Sequence, residues 1–352
     1  MGKEHTKDRY ISSLKVGERI KDYFVATGAT LTPFRPESGK RGSFLRLTLS
    51  DRTGSLPAIM WEGGERAFSQ LGTEGTGVQI KGNVGQYRGD LQLVVEEITI
   101  ADESSLQPAW FLPSSPRPLP TMEKELRAVI NEVKSAPLSR LLEIIFDDED
   151  FYRAFVQAPA AKMIHHAYLS GLLEHTLETV GFAVAIANQY PHYINRDLLL
   201  TGALLHDSGK IFEYSWEGLS FTITDEGRLF GHIVLTARLV EKTIASIKGF
   251  PTALRHELIH MILAHHGIEE WGSPRPPKTI NAFALHHADY LSCELDHFQG
   301  LLQRGGGSKD NWTTMDRKLG RSVFSGFLAP DEIATGRQGV DIIGEELGSN
   351  KA

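Results

Sequence analysis

The stretch Leu198-Leu199-Leu200-Thr201-Gly202-Ala203-Leu204-Leu205 is apolar nearly all round, and it runs directly into His206-Asp207-Ser208-Gly209-Lys210. A helix that is apolar on every side belongs in a core. The chain must therefore build a helical layer thick enough to surround one segment completely. Gly209 suits a helix C-terminus and predicts that the helix ends near it. The core then holds the last turn still, with His206 and Asp207 already in position. Adjacent helical residues point about 100° apart. A metal ion reached by both sits off the helix end, and other helices must complete its shell. A capped helix end accounts for a bare His-Asp pair as well, so the rest of the chain has to decide.

The histidines bear on that choice. Thirteen of the 14 fall between His165 and His297, mostly as doublets or beside carboxylates: His165-His166, Glu174-His175, His206-Asp207, Gly231-His232, His265-His266 and His286-His287. Neutral imidazole and carboxylate oxygens suit divalent transition metals. Helix ends carry such ligands on rigid supports, as His265 does after Met261-Ile262-Leu263-Ala264. Surface histidines without a role are the alternative, and the apolar segments around these positions oppose it. The single cysteine, Cys293, leaves no internal disulfide, argues against a thiolate zinc site and suits a reducing cytosol.

Residues 122–300 read as all-α. Thr121 is the expected N-cap of a helix running to about residue 134. Further helices are expected over 138–146, 151–156, 168–189, 197–208, 232–246, 254–264 and 280–298. The acidic run Asp147-Asp148-Glu149-Asp150 reads as a solvated junction. Residues 301–352 form a C-terminal extension, and its Trp312, Phe324 and Phe327 predict that it packs on something.

Residues 10–101 read as all-β. Strands are expected over 19–29, 43–50, 55–61, 77–87 and 91–100, with turn signals at Asp51-Arg52-Thr53-Gly54 and Arg88-Gly89-Asp90. Five short strands in this length suit a small barrel, the OB-fold first among candidates. Such a barrel holds single-stranded nucleic acid on basic and aromatic side chains. Phe44, Arg46, Trp61, Lys81, Tyr87 and Arg88 are available for that, although Phe44 and Trp61 also suit the barrel interior. Residues 102–121 carry five prolines and read as a stiff linker, with Trp110-Phe111-Leu112 to pin it to a surface. Residues 1–9 read as an N-terminal tail. No apolar segment follows them, so no secretory leader is expected. No run reaches the roughly 20 apolar residues of a membrane helix.

Net charge is -7, unevenly spread. Residues 10–101 hold 11 Lys+Arg against 10 Asp+Glu, and the residues from Asp102 onward hold 23 against 32. Total charge predicts no polyanionic partner, whereas the first segment alone allows one.

The order His175, His206-Asp207, Asp289 resembles the H…HD…D signature of the HD-domain metal-dependent phosphohydrolase superfamily. Longer stretches are similar to the YhaM family of 3′–5′ exoribonucleases: His165-His166-Ala167-Tyr168-Leu169-Ser170-Gly171-Leu172-Leu173-Glu174-His175-Thr176, Leu204-Leu205-His206-Asp207-Ser208-Gly209-Lys210, Gly231-His232-Ile233-Val234, Ala264-His265-His266-Gly267 and His287-Ala288-Asp289. The likeness covers residues 10–300, firmest in the helical part. It implies a small all-β OB-fold barrel followed by an all-α HD-domain helical core. It also implies a cytoplasmic, metal-dependent 3′–5′ exoribonuclease that releases nucleoside monophosphates from single-stranded RNA, with single-stranded DNA as a second candidate.

The same resemblance implies roles for matching positions. His175, His206, Asp207 and Asp289 would form the core metal shell, and His232 and His265 would hold a second ion with Asp207 bridging. One or two divalent ions per chain follow, Mn²⁺ first, with Fe, Co, Ni, Zn or Mg as alternatives. Asp207, Lys210, His232 and His265 are the expected catalytic set, Lys210 as a point charge on the phosphate. Lys162, His165 and His166 would line the RNA path, or protonate the leaving group. His266 and His286 would orient ligands, and Trp271 would stack on a base or pack. A homo-oligomer stays open, and no membrane partner is expected. Two other readings remain. A phosphohydrolase for small or cyclic nucleotides has no need of the barrel. A nucleic-acid-binding protein with an inactive HD site is opposed by the intact ligand set.

Overall fold

A computed structural model describes residues 6–326, apart from 36–38, 40, 73–74, 88, 163–165, 217 and 306–310 and the side chains of 103, 304 and 305. His165, Arg88 and Phe327 therefore lie outside the described residues. The chain divides into two compact units, Met1–Ser114 with Ser215–Thr222, and Ser115–Tyr214 with Ile223–Ala352.

The first unit is a closed barrel of β1 (Arg19–Pro33), β2 (Ser43–Asp51), β3 (Gly54–Met60), β4 (Thr76–Tyr87) and β5 (Asp90–Ile100). The order around it is β1-β2-β3-β5-β4, antiparallel except between β3 and β5. Alternation sorts the faces: Leu45, Leu47 and Leu49 fill the interior with Phe24, Ile80 and Leu93, while Arg46 points to solvent. β1 runs beyond residue 29, where the apolar rhythm fails. A register shift between Thr27 and Thr30 lets the strand bend and stay paired with β2. A short helix α1 (Gly64–Phe68) follows β3. Phe111 is buried with Tyr23, Val25 and Leu106, so the Trp-Phe-Leu stretch does pin the chain after β5.

Lys7, in the segment that reads as a tail, is buried. Its Nζ donates to the carbonyls of Tyr23 at 2.6 Å and Arg9 at 2.8 Å, between Asp51 at 3.3 Å and Asp22 at 3.8 Å. The Phe24 ring lies beneath it at 4.0 Å.

The second unit is helical: α2 (Leu119–Glu132), α3 (Ala136–Phe146), α4 (Glu149–Gln157), α5 (Gly171–Gln189), α6 (Arg196–Leu205), α7 (Lys210–Glu213), α8 (Asp225–Ser246), α9 (Thr252–Ala264) and α10 (Ile280–Gly305). Between α7 and α8 the chain passes into the first unit and back, and the short strands Tyr214–Ser215 and Thr222–Ile223 pair where it does so. α2 starts ahead of Thr121, with Pro118 as its N-cap. Pro120 then sits in the first turn, where a missing N–H costs nothing. Asp148 caps α4 by accepting from Asp150 N and Phe151 N, so the acidic run is an exposed helix start.

Residues 198–205 are all buried, and α6 packs against α5, α9 and α10. The helix stops at Leu205, with His206 as C-cap. Gly209 does not end it, and its φ of -66° is right-handed. A Cβ there would stand 2.3 Å from the His232 carbonyl oxygen and 2.6 Å from Thr236 N. The glycine is what lets α8 come close.

Candidate metal centre

Five helices converge on one point. His175 lies in the second turn of α5, His206 caps α6 and Asp207 follows it, His232 lies on α8, His265 caps α9, and Asp289 lies on α10. His206 and His265 use the same local device. Each donates Nδ1–H to the carbonyl three residues back, Ala203 at 2.8 Å and Ile262 at 2.7 Å. Those carbonyls lie at helix ends, where backbone acceptors lack partners. His232 follows a break in α8 at Gly231, whose φ of +70° is left-handed and costs glycine least. Its Nδ1 donates to Glu213 at 2.8 Å. His175 Nδ1 meets Ser292 Oγ at 3.0 Å, and Ser292 donates onward to Glu178 at 2.8 Å. The one serine proton is thus committed, so His175 is the donor. In all four histidines the partner accepts from Nδ1, and Nε2 turns inward.

Asp207 stands between two groups of these nitrogens. Its Oδ2 is 3.4 Å from Nε2 of both His175 and His206, and its Oδ1 is 3.4 Å from Nε2 of His232 and 3.5 Å from Nε2 of His265. Asp289 Oδ1 is 3.1 Å from His175 and 3.7 Å from His206. Asp207 Oδ1, His232 Nε2 and His265 Nε2 are buried with no hydrogen-bond partner among the described residues. Each such atom costs about 1–3 kcal/mol. Acceptors facing acceptors are what a cation satisfies, and an all His/Asp donor set suits a divalent ion. An ion would fit at His175, His206 and Asp207, with Asp289 beside them, and His232, His265 and His266 form a second group of ligand-type side chains.

Burial lowers the His175 pKa, but Asp207 and Asp289 outweigh it and raise it to about 9. A proton thus competes with a cation for this nitrogen. Burial also opposes both carboxylates. Lys210 and His206 nevertheless hold Asp207 well below the usual range, and His175 and His206 lower Asp289. Burial, then the neighbouring His265, pulls His266 down to about 4. Burial, then Asp289, raises the Cys293 thiol, which stays protonated and points at Asp289 Oδ1 from 3.7 Å.

Lys210 is buried with Nζ 2.5 Å from Asp207 Oδ2. It shares a cavity of about 610 Å³ with Asp207, His232, Asp289, Trp271 and Tyr290. His286 donates to the His265 carbonyl at 2.7 Å, and His266 to that of Trp271 at 2.8 Å. His166 is 1% exposed, with its ring nitrogens 3.3 Å from Glu178 and 3.8 Å from Asp296, so it faces acids inside the fold. Lys162 is exposed. Sequence reasoning missed Glu213, Ser292 and Glu178. The last two carry a signal, since Ser292 lies three residues after Asp289 and Glu178 three after His175, on the same helix faces.

In the barrel, Phe44 meets Trp61 with ring centroids 4.8 Å apart, and Phe34 joins them at 5.3 and 6.2 Å. Phe34, Trp61 and Arg41 line a groove of about 510 Å³. Arg46 lies on the same strand as Phe44. Lys81 and Tyr87 lie on β4, which pairs with β1 and β5 and not with β2 or β3. Lys81 also pairs with Glu97 at 3.8 Å. The nucleic-acid candidates are thus split between two parts of the barrel.

Residues 172–293 match the HD domain family, and residues 30–101 match the OB-fold nucleic acid binding domain family. Barrel and site together define the class, an HD-domain protein of the metal-dependent phosphohydrolase superfamily with an OB-fold domain ahead of it. The chain is 30% identical to the 3′-5′ exoribonuclease YhaM of Geobacillus sp. (strain WCH70), over 91% of this chain and 97% of that one. It is 35% identical to the 3′-5′ exoribonuclease YhaM of Listeria monocytogenes serotype 4b (strain CLIP80459), over 84% and 92%. The chain belongs to the YhaM family. Among solved structures, the second OB-fold domain of replication protein A from Methanococcus maripaludis is 24% identical over 28% of this chain and 98% of its own, with a TM-score of 0.23. An HD domain implies a divalent metal.

Proposed function

We propose that this protein is a metal-dependent 3′–5′ exoribonuclease. It removes nucleoside monophosphates from single-stranded RNA in the cytosol, with two Mn²⁺ ions per chain, and accepts single-stranded DNA as a second substrate. The observation that carries the reading is the double ring of inward imidazole nitrogens around Asp207, in a chain of the YhaM family. When bound, the cations polarise the phosphodiester and lower the pKa of a water. The chain's own residues do the rest. Asp207 serves both groups of histidines, and Ser292 and Glu213 hold His175 and His232 in the ligating tautomer. Lys210, once it yields its contact with Asp207, is a point charge for the scissile phosphate. Phe44, Trp61 and Phe34 offer stacking faces, with Arg46 and Arg41 as charges for the strand. A hydrolase of small or cyclic nucleotides would have no use for that cluster.

The test uses 5′-labelled single-stranded RNA with Mn²⁺, Mg²⁺ or chelator. Stepwise shortening with release of monophosphates is expected with Mn²⁺, and none with chelator. Internal cuts, or shortening that survives chelation, would overturn the reading.

A further inference from the structure

The cavity over the metal centre has a wall that the ligands do not account for. The HD-domain match ends at residue 293. Beyond α10, residues 311–326 form an arm that folds back on itself. Thr313 N donates to the Val323 carbonyl, Asp316 N donates to that of Arg321, and the Trp312 and Phe324 rings lie 5.0 Å apart. Two contacts fasten the arm to α10: Asp316 with His297 at 3.1 Å, and Lys318 with Glu294 at 2.7 Å. α10 also carries Asp289, so the arm is tied to a helix that serves the metal centre. Lys318 and Arg321 thereby line the cavity.

The cations there are not equivalent. Lys210 pairs with Asp207, and Lys318 with Glu294. Arg321 is exposed and forms no ion pair among the described residues. The residues from Asp102 onward hold 23 Lys+Arg against 32 Asp+Glu, so an uncommitted arginine in this cavity stands out. The same cavity has a flat apolar surface. Trp271 and Tyr290 stack with centroids 5.2 Å apart and planes 8° apart, yet they are 49% and 39% exposed. A planar, half-open aromatic pair in the same cavity as an unpaired guanidinium is suited to a base and a phosphate together.

We propose that this wall is the subsite for the 3′-terminal segment of the RNA. The terminal base lies on the Trp271–Tyr290 pair, and Arg321 takes the phosphate next to the scissile one through charge-assisted hydrogen bonds. The proposal rests on the exonuclease reading above. It makes the arm part of the substrate-binding surface, and it makes Arg321 matter only to substrates that have a second phosphodiester.

The experiment compares kcat/KM on a short oligoribonucleotide and on the p-nitrophenyl ester of uridine 5′-monophosphate, which has one phosphodiester and one base. Full-length protein, Arg321→Ala, Arg321→Lys and Trp271→Ala are measured with Mn²⁺. Arg321→Ala is expected to lower the ratio of oligonucleotide to ester kcat/KM about tenfold through KM, the size of one hydrogen bond to a charged group. Arg321→Lys recovers part of that loss. Trp271→Ala is expected to raise KM on both substrates. An unchanged ratio in Arg321→Ala, or native KM values in Trp271→Ala, overturns the subsite. A wild-type protein that hydrolyses neither substrate overturns the exonuclease reading and the subsite with it, before any variant is made.

Discussion

Each half of the chain buries a knot of charge among its described residues, Lys7 with its aspartates in one and the Asp207 cluster in the other, and these two are built on opposite principles. In the barrel, Lys7 lies between Asp22 and Asp51, and all three are satisfied from within. Asp22 accepts from the backbone N–H groups of Asp8, Arg9 and Tyr23, and Asp51 from those of Ile11 and Thr53. In the helical unit, Asp207, Asp289 and three of the four histidines are as deeply buried, yet Asp207 Oδ1 and two imidazole nitrogens meet only other acceptors. A buried charge costs several kcal/mol unless it is paired and hydrogen-bonded. The first knot meets that condition alone, and the second does so only with a cation. Between these two knots, the one whose unmet acceptors face one another is the one that a cation would complete.

The comparison can be broken by removing one member of each knot. Asp207→Ala carries the largest expected effect, a loss of hydrolysis of roughly 10³-fold or more, because the lost carboxylate faces both histidine groups. RNA affinity of the full-length variant, read by fluorescence anisotropy with chelator present, should change little. Native-rate hydrolysis by the variant would show that the site is misassigned. Lys7→Met comes next. It strands two buried carboxylates without their cation and should cost about 3 kcal/mol in urea unfolding, with the metal content by elemental analysis unchanged. Native stability in that variant would mean that the closed knot is dispensable.

The smallest effect sharpens the contrast by pH. His175 has its pKa raised from 6.5 to about 9 in the folded chain. The folded state then binds this proton more tightly than the unfolded one. The stability it supplies is complete below about 6.5 and is lost as pH rises through about 9. Chelator-treated protein should lose Tm across that window, while Mn²⁺ affinity climbs because the ion displaces the proton. A Tm that is flat or rising from pH 6.5 to 9 would refute proton bridging at His175.

Much of the open knot is legible in the sequence, and little of the closed one is. The histidine doublets stand out because apolar segments flank them, whereas the choice of ligands among them comes from the resemblance to the HD-domain superfamily. Ser292 and Glu178 share helix faces with Asp289 and His175, but their bond to one another appears only when α5 and α10 lie side by side. Lys7 is a lysine in a polar stretch, and its burial depends on two aspartates on other strands. The barrel strands emerge from alternation, which a core imposes on one face. Phe34 escapes because the rhythm breaks where β1 bends between Thr27 and Thr30. Gly209 reads as a helix stop from its type alone, whereas its constraint is the approach of α8, which only tertiary packing supplies.

That the ligands come from five separate helices has a consequence in time. A ribosome adds about 5–20 residues per second, so a nascent chain carries the full barrel sequence for about 10–40 s before Asp289 is joined. Throughout that interval it carries the residues of β1 to β5 and lacks Asp289, the last of the proposed ligands. With Asp289 as a ligand, the hydrolytic centre is complete only once α10 is synthesised and docks.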